Sequence, residues 1–459
     1  MASGFEKCIL CIGAGYVGGP TMAVIATKCP RYKVIVVDID RDRIAAWNSE
    51  QLPVYEPGLY ERVAAARGRN LFFTTDLEGA VAEAEVIFVS VNTPTKASGV
   101  GAGMAADLRH WENIARQLRQ LSVTPKIVVE KSTVPVRTAE AMERILSANG
   151  GGERFQVLSN PEFLAEGTAI QNLENPDRVL IGSRETESGR RAREVLVDIY
   201  ANWVSRERIL TSNIWSSELA KLASNAFLAQ RVSSINTIAN ICESTGADVG
   251  EVSRAVGMDA RIGSRFLNAG LGFGGSCFKK DILSLVYLCR EFGAEDEADY
   301  WESVVRINEH QKERFVQRMV RAMFGTLAEK KIAVFGFAFK PDTGDIREAP
   351  AIDVVKRLLA EGARPVITDP QALDNARKIF GQTDGISYEK DPYRAAEGCH
   401  AVTVMTEWEA YKALDYEKIY RSMEKPAFFF DGRNIINYRR LHDIGFNVYT
   451  AGHPPLVHF

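Results

Sequence analysis

The sequence predicts an α/β protein with two doubly wound, Rossmann-like parallel-sheet domains, joined by a long central helix and a helical dimerisation segment. Apolar strand patterns alternate with helical patterns in residues 1–213 and again in residues 327–459, whereas residues 214–326 are almost entirely helical in periodicity. The strands are near-continuous apolar runs, as expected when helices cover both faces of a parallel sheet. We therefore expect three segments with these boundaries.

Composition and charge exclude several classes of protein. The chain has 459 residues, 46% of them hydrophobic, and a net charge of −3, so we expect no nucleic-acid partner. No apolar run approaches the roughly 20 residues of a membrane span, and the N-terminus enters a strand pattern without a signal-peptide layout. Seven scattered cysteines predict a reducing, cytoplasmic location without a disulfide framework.

The first strand pattern, Cys8–Ile12, leads into the sequence GAGYVG at Gly13–Gly18 and then into a helical pattern. A second strand, Lys33–Val37, ends in Asp38, so that strand, turn, helix, strand and acid follow in the order of a dinucleotide-binding fingerprint. Cys8 and Cys11 point to opposite faces of their strand, so we expect them in the core and assign no metal site.

Each residue of this fingerprint has a physical task. Gly13 permits the tight turn, Gly15 lets the backbone approach a pyrophosphate, and Gly18 lets the helix pack on the strand. An acid at Asp38 binds a ribose 2′-hydroxyl and repels a 2′-phosphate, which favours NAD over NADP; Arg43 nearby tempers that preference.

Polar clusters follow three further strands of the first segment. Glu85–Val91 ends in NTPT, Lys126–Glu130 in KSTVP, and Gln156–Ser159 in NPEFLAEG. Ligands of open α/β sheets bind at these carboxyl ends, although Ser, Thr, Asn and Pro are also common there as capping and turn residues. Three clusters on one edge favour a pocket. Its candidate lining residues are Thr133, Asn160, Glu162 and Glu166.

The middle segment opens with a long amphipathic helix from about Asn213 to Gly246. Lys221 and Asn225 are four residues apart, so they present an ammonium and an amide on one face; ordinary solvated residues are the alternative. The apolar helix faces exceed what one layer can bury, which predicts a subunit interface.

The glycine-rich sequence GLGFGGSCFKKD, Gly270–Asp281, follows this helical region. Its thiol, Cys277, falls at a predicted helix start beside Lys279 and Lys280, where the helix dipole and two cations lower a thiol pKa. Taken alone, the pattern fits a nucleophile or a glycine hinge with a buried thiol equally well.

The last segment repeats the strand–helix rhythm without GxGxxG; its first turn reads GFAFKPDTGD. We expect it to bind a ligand other than the dinucleotide, with Lys340 and Arg433 offering cations to phosphates.

The motifs VNTPT, VEKSTVPV, SNPEFLAEGTA, FGGSCFKKD and GFAFKPDTGD resemble those of the nucleotide-sugar 6-dehydrogenases, the UDP-glucose/GDP-mannose dehydrogenase family, in its eukaryotic form. The resemblance runs from about residue 5 to about residue 450. It implies oxidation of the C6 alcohol of UDP-glucose to the carboxylate with two NAD, through a cysteine thiohemiacetal and thioester. GDP-mannose or a UDP-N-acetylhexosamine is the alternative substrate. The resemblance also implies self-association as a dimer or a dimer-based hexamer.

The resemblance carries the family's site residues over by position. The implied catalytic residues are Cys277, Lys221, Asp281, Asn225, Glu162 and Thr133. The implied cofactor residues are Gly13, Gly15, Tyr16, Val17, Gly18, Asp38, Arg43, Val91, Asn92, Thr93, Pro94, Thr95, Ser132, Thr133, Glu166, Cys277, Lys280 and Arg347. The implied substrate residues are Glu162, Phe163, Leu164, Ala165, Glu166, Lys221, Asn225, Arg261, Phe266, Leu267, Asn268, Gly272, Phe273, Gly274, Phe339, Lys340 and Arg433.

Some alternatives stay open at this level. The first proton goes to Asp281 through a water or to Lys221, since no histidine lies in any motif. Asn268 stands where some relatives have lysine, which puts one loop or phosphate contact in doubt. A two-electron β-hydroxyacid dehydrogenase would need neither the thiol nor the second α/β segment, and a nucleotide-sensing module would bind NAD without reducing it.

Overall fold

The computed structural model describes residues 4–148 and 154–459. The chain divides into two compact units. The first contains residues up to 224 together with 283–292, and the second contains residues 225–282 and 293–459. Two of the three boundaries, 224/225 and 282/283, fall inside helices, so each of these two helices contributes residues to both units.

The first unit is built on an eight-stranded sheet with the strand order β3-β2-β1-β4-β5-β6-β7-β8. Its strands are β1 Lys7–Ile12, β2 Tyr32–Val37, β3 Leu71–Thr74, β4 Val86–Val89, β5 Lys126–Glu130, β6 Phe155–Ser159, β7 Val179–Ser183 and β8 Ile209–Asn213. Pairing is parallel except between β6 and β7, which meet antiparallel at Ser159 and Gly182. The doubly wound prediction is confirmed, and the antiparallel junction is an addition to it.

Helices cover both faces of this sheet, and alternate residues of β1 therefore enter different cores. Ile9 and Cys11 pack on one side, and Leu10 and Ile12 on the other. The helices are α1 Gly18–Lys28, α2 Arg41–Trp47, α3 Leu59–Ala66, α4 Leu77–Glu83, α5 Arg109–Leu121, α6 Thr138–Ser147, α7 Ala169–Glu174 and α8 Glu187–Tyr200. The predicted long helix follows as α9, Ile214–Thr245, and ends before Gly246 at φ 83°.

The second unit holds a six-stranded parallel sheet in the order β11-β10-β9-β12-β13-β14. Its strands are β9 Lys331–Phe335, β10 Arg364–Thr368, β11 Ser387–Tyr388, β12 Ala401–Val404, β13 Phe428–Asp431 and β14 Asn447–Thr450. The remaining helices are α10 Val249–Gly257, α11 Phe278–Glu291, α12 Glu295–Ala322, α13 Pro350–Ala360, α14 Leu373–Phe380, α15 Pro392–Ala396, α16 Glu409–Lys412, α17 Tyr416–Ser422 and α18 Tyr438–Ile444. Helix α12 begins at Glu295, where three acidic residues in its first turn favour a helix N-terminus.

Across the described ranges, every helix is too short or too polar to span a bilayer. None of the seven cysteines, all of which lie in the described ranges, forms a disulfide. Burial raises the pKa of Cys8 to about 11 and that of Cys11 to about 12, as expected for core thiols.

Candidate active site

The turn after β1 has the shape of a dinucleotide cradle. Gly13 has φ 107° and donates its N–H to Val37 O at 2.8 Å; a Cβ there would lie 2.3 Å from Ser90 O. A Cβ at Gly18 would lie 2.0 Å from Gly13 O, so the backbone itself requires both glycines. A Cβ at Gly15 would meet nothing within 4 Å, so that glycine leaves open space over the turn.

The acid after β2 ties this turn to the neighbouring strand. Asp38 is 8% exposed, and its Oδ2 accepts from Ala14 N at 2.8 Å and from Arg43 Nη1 at 3.0 Å. Trp47 holds the same turn from the other side, donating Nε1–H to Ala14 O at 2.9 Å. The open space over Gly15 and the carboxylate beside it fit the pyrophosphate and the ribose of NAD.

The predicted polar edge of the first sheet also forms. Thr93 Oγ1 donates to Thr133 O at 2.8 Å, and Ser132 Oγ donates to Val91 O at 2.6 Å. These two bonds tie the loop after β4 to the loop after β5, so the NTPT and KSTVP clusters lie side by side.

Lys221 of α9 and Glu162, after β6, form a buried ion pair. Nζ lies 3.2 Å from Oε1, and both side chains are at least 92% buried. Leu164 N donates to Glu162 Oε2 at 2.6 Å, which fixes the carboxylate. The Phe163 ring lies under two cations, 5.4 Å from Lys221 Nζ and 3.9 Å from the Arg178 guanidinium carbon. A buried ammonium beside a buried carboxylate suits proton transfer and charge stabilisation.

Sequence reasoning missed a second buried cation beside this pair. Lys131 is 5% exposed and donates to Asn160 Oδ1 at 3.1 Å and to Tyr200 Oη at 3.3 Å. Burial, reinforced by the positive charge of Lys221, lowers the pKa of Lys131 to about 8, and Glu162 opposes the fall. Its signal was a lysine directly after an apolar strand, in the motif VEKSTVPV.

In the second unit, the glycine loop ends at the helix start that the sequence predicted. Asp281 N donates to Cys277 O at 2.9 Å, so Cys277 caps α11 and its thiol precedes the first helical residue. A Cβ at Gly274 would lie 2.5 Å from Glu348 O, and one at Gly275 would lie 2.8 Å from the Phe339 ring. The loop therefore needs glycine in order to pack closely.

The charges next to Cys277 are distributed among different partners. Asp281 is fully buried; its Oδ2 accepts from Asn225 Nδ2 at 2.6 Å, and Lys280 Nζ lies 2.7 Å from its Oδ1. Lys279 instead pairs with Glu348 at 3.0 Å. Asn225 and Asp281, predicted as catalytic neighbours, are thus in direct contact.

Buried amides hold the glycine loop in place, and no motif in the sequence marks them. Asn236 Oδ1 accepts from Gly270 N at 2.9 Å, and Gln311 Nε2 donates to Gly270 O at 3.1 Å. Asn308 brackets Phe273, accepting from its N–H at 2.8 Å and donating to its carbonyl at 3.1 Å. An amide on an apolar helix face is the only sequence signal for such a role.

Arg433, a predicted phosphate ligand, contacts backbone carbonyls. Its Nε donates to Met405 O at 2.7 Å and its Nη1 to Gly272 O at 3.0 Å, and it lies 3.2 Å from a Glu407 carboxylate oxygen. Arg433 therefore ties the glycine loop to the end of β12. Arg261 differs: its side chain is 88% exposed and pairs with Asp259.

The fold and the cradle define a dinucleotide-dependent dehydrogenase with a second doubly wound sheet. Three models of the UDP-glucose/GDP-mannose dehydrogenase family match the chain in order: the NAD binding domain at residues 7–204, the central domain at 215–310 and the UDP binding domain at 333–438. The chain belongs to this family, and its first sheet is an NAD-binding domain.

Relatives and solved structures agree with this assignment. UDP-glucose 6-dehydrogenase 4 of Arabidopsis thaliana is 58% identical over 97% of both chains, and UDP-glucose 6-dehydrogenase 1 of Glycine max is 57% identical over the same shares. A UDP-glucose dehydrogenase structure from Pyrobaculum islandicum superposes with a TM-score of 0.84 at 32% identity, covering 97% of this chain and 99% of that one.

Proposed function

We propose that this chain oxidises the C6 alcohol of UDP-glucose to the carboxylate of UDP-glucuronate, reducing two NAD per sugar. The observation that carries the proposal is the Cys277 thiol at the start of α11, at the end of a tightly packed glycine loop. Relatives that are 57–58% identical bear the name UDP-glucose 6-dehydrogenase, which supports this substrate over the sister nucleotide sugars.

The first oxidation needs a base, because an alcohol loses a proton as it becomes an aldehyde. NAD, when bound at the glycine turn beside Asp38, supplies the hydride acceptor for both oxidations. The proton goes to Asp281 through a water or to Lys221. Either group is buried with a fixed partner, Asn225 for Asp281 and Glu162 for Lys221, which keeps its orientation constant.

The second oxidation requires a tetrahedral carbon. The Cys277 thiolate adds to the aldehyde carbon, a C–S bond forms, and the carbonyl oxygen becomes the alkoxide of a thiohemiacetal. Lys221 and Asn225 stabilise this alkoxide. Oxidation of the adduct leaves a thioester. Thr133 and Glu162 position the water that attacks it; Glu162 takes the water's proton, and the C–S bond breaks to release thiolate and carboxylate. One alcohol, two NAD and one water give one carboxylate, two NADH and three protons.

The second sheet is proposed to bind the uridine diphosphate. Lys340 and Phe339 lie in the turn after β9, where the first sheet has its cradle, and the model of a UDP binding domain matches this segment. Arg433 has a further task in this proposal, since its bond to Gly272 O aligns the loop that leads to Cys277. The three segments predicted from the sequence, with boundaries after residues 213 and 326, remain part of this proposal.

We also propose self-association, as a dimer or a dimer-based hexamer, through the exposed face of α9. Phe227, Ile238 and Ile241 are 59%, 38% and 58% exposed, and their spacing puts them on one side of the helix. A second copy covering this apolar stripe would remove it from water. Seven cysteines that form no disulfide in the described ranges support a cytoplasmic location.

The test is an NADH stoichiometry assay with purified protein. UDP-glucose should give two NADH per sugar with NAD and little with NADP, and GDP-mannose and UDP-N-acetylhexosamines should react far more slowly. Cys277→Ser should lower the rate of complete turnover by roughly 10³-fold or more, while Cys289→Ser, within α11, should leave it near the wild-type rate. A Cys277→Ser protein that still completed both oxidations would overturn the covalent route, and one NADH per sugar would overturn the four-electron reaction.

A further inference from the structure

The guanidinium of Arg231, on α9, binds three backbone carbonyls of one loop. Its Nε donates to Arg265 O at 2.8 Å, its Nη1 to Ile262 O at 2.9 Å and its Nη2 to Gly263 O at 2.5 Å. Each nitrogen of the planar group therefore has its own acceptor. These carbonyls belong to the chain that follows α10, which we call the 258–266 loop.

The first half of this loop is a tight turn built on Asp259. The Asp259 carbonyl accepts from the N–H groups of Ile262 and Gly263 at 2.9 and 2.8 Å, and its carboxylate accepts from the Arg261 N–H at 3.0 Å. The Arg261 side chain pairs with the same carboxylate and is 88% exposed. The turn thus satisfies its own N–H groups, while Arg231 supplies donors for its carbonyls.

The second half of the loop ends in a residue with an unusual backbone angle. Phe266 has φ 63°, in the left-handed region that a bulky L-residue rarely adopts. The carbonyls on both sides of it are fixed, that of Arg265 by Arg231 and that of Leu267 by Ser253 Oγ at 2.6 Å. Such a conformation persists only where the surrounding contacts over-determine the backbone.

The same side of α9 holds the chain that follows the loop. Arg231 and Ile235 are four residues apart, so they share a face of the helix. Ile235 packs in one buried cluster with Leu267 and Ala269. The chain therefore follows α9 from the loop into the glycine-rich segment that leads to the thiol.

The loop also reaches the start of α11. The Phe266 ring lies 6.3 Å from that of Phe278, and the Phe278 ring lies 5.7 Å from that of Phe273 in the glycine loop. Because Phe278 follows Cys277 in the chain, a different path of the 258–266 loop would change the ring packing beside the thiol.

Fold stability alone does not account for the three bonds of Arg231. The loop is exposed at Arg261, Ile262 and Ser264, so water could replace the guanidinium at the carbonyls with little loss of free energy. Water cannot supply direction, whereas a planar guanidinium fixes three acceptors relative to its own helix. The bonds therefore act on the path of the loop more than on the stability of the fold.

We propose that Arg231 is a positioning residue for the sugar nucleotide, because its three bonds hold the 258–266 loop so that Arg261 and Phe266 are presented in one arrangement. This inference rests on the proposed function, in which those two residues contact UDP-glucose and Arg231 touches neither substrate nor NAD. A loop without these bonds has to be ordered when the substrate binds. That entropic cost weakens binding and leaves the rate of the bound complex almost unchanged.

The experiment compares steady-state kinetics of the wild type and three variants. Arg231→Ala should raise the KM for UDP-glucose about tenfold and change kcat and the KM for NAD less than about twofold. Arg231→Lys keeps the charge but has one donor nitrogen in place of three, so it should still raise that KM about fivefold. Arg254→Ala, which removes an exposed cation from α10, is the control and should leave all three constants near their wild-type values.

A second readout needs neither substrate nor turnover. Trypsin cleaves after arginine, and the loop contains Arg261 and Arg265. Limited digestion should cut Arg231→Ala at one of these two sites about tenfold faster than wild type, with the other early cleavage sites unchanged. Arg231→Lys is digested in parallel, so that the comparison stands if the alanine variant folds poorly.

The outcomes separate the inference from the proposed function. Wild-type values of the KM for UDP-glucose and of loop cleavage in Arg231→Ala would overturn the inference. A lower Tm and a lower kcat with that KM unchanged would assign Arg231 a purely structural role and would also overturn it. A wild-type protein that forms no NADH with UDP-glucose would overturn the proposed function, and the cleavage rates would still decide whether Arg231 orders the loop.

Discussion

The first turns of the two sheets share a backbone frame and differ in what fills it. Gly13 follows β1 and Gly336 follows β9, with φ of 107° and 95°. Each donates its N–H at 2.8 Å to the neighbouring strand, Gly13 to Val37 O and Gly336 to Thr368 O. The frame of a nucleotide-binding turn is thus present twice, although only the first copy has the GxGxxG pattern.

The acids behind these turns differ in how many donors they hold. Asp38 accepts from two backbone N–H groups and from the half-exposed side chain of Arg43, which can give way to a ribose. Asp369 is equivalent in position but is saturated by protein donors. These are the N–H groups of Phe337, Ala338, Gln371, Ala372 and the Trp408 indole. Equivalent backbones therefore need not bind the same ligand.

The first turn also has more open space above it than the second. A Cβ at Gly15 would meet nothing within 4 Å, whereas the corresponding Ala338 is 1% exposed and Phe337 beside it is fully buried. The first turn leaves room for a pyrophosphate, and the second is filled with side chains.

The largest expected effect tests whether both turns require glycine at their first position. Gly13→Ala and Gly336→Ala should each lower the free energy of unfolding by about 3 kcal/mol or more, because an L-residue is strained at this φ and the Cβ would lie 2.3–2.4 Å from a neighbour. In thermal denaturation, added NAD should still raise the Tm of Gly336→Ala and should no longer raise that of Gly13→Ala. Gly246→Ala, at φ 83° with nothing within 4 Å, is the control and should cost about 1 kcal/mol. If NAD raised the Tm of neither variant, the two turns would not differ in NAD binding as expected.

A smaller effect separates the two acids. Asp38→Asn should lower the preference for NAD over NADP by about 10- to 100-fold, since the charge that repels a 2′-phosphate is removed and Arg43 is released. Asp369→Asn should leave that preference unchanged and cost about 2 kcal/mol of stability, because the amide cannot accept from all five donors. The ratio of kcat/KM for the two cofactors and the Tm are measured together. A changed ratio in Asp369→Asn would show that the second turn also reaches the dinucleotide.

The smallest expected effect concerns carboxyls at equivalent strand ends. Glu130 ends β5 opposite Val89, as Asp431 ends β13 opposite Val404. Asp431 accepts backbone N–H groups, whereas Glu130 faces the negative charge of Glu218. Burial raises the pKa of Glu130 well above its usual value and that of Glu218 to about 7.

These raised pKa values fix the sign of the pH dependence. Above pH 4.5 the folded protein binds more protons than the unfolded chain, so stability falls as pH rises. The contribution of Glu218 is lost by about pH 7, and that of Glu130 is lost as its own raised pKa is passed. Urea denaturation should show a loss of about 2 kcal/mol between pH 5 and pH 8 in wild type and about half of that in Glu130→Gln, whose amide cannot ionise and donates to Glu218. A wild-type stability that does not change over this range would contradict the raised pKa values of Glu130 and Glu218.

Local features of the chain could be predicted because they depend on residues a few positions apart. The Gly13–Gly18 turn, the acid at Asp38, the long α9 helix ending before Gly246 and the cap at Cys277 all lie in such short patterns. The strands β7 and β8 were not predicted, since they lie at an edge of the first sheet where no motif occurs in the sequence.

Only the tertiary structure decided which polar side chains meet. Lys131 and Tyr200 are 69 positions apart, Asn225 and Asp281 are 56 apart, and Asp369 reaches Phe337 from the next strand. Each group pays a desolvation cost that its partner offsets, and no pattern in the chain shows where that partner will come from. The sequence by itself determined two doubly wound sheets and one dinucleotide-binding turn, and the packing of distant residues determined that the first turn is open over its glycines and the second is filled.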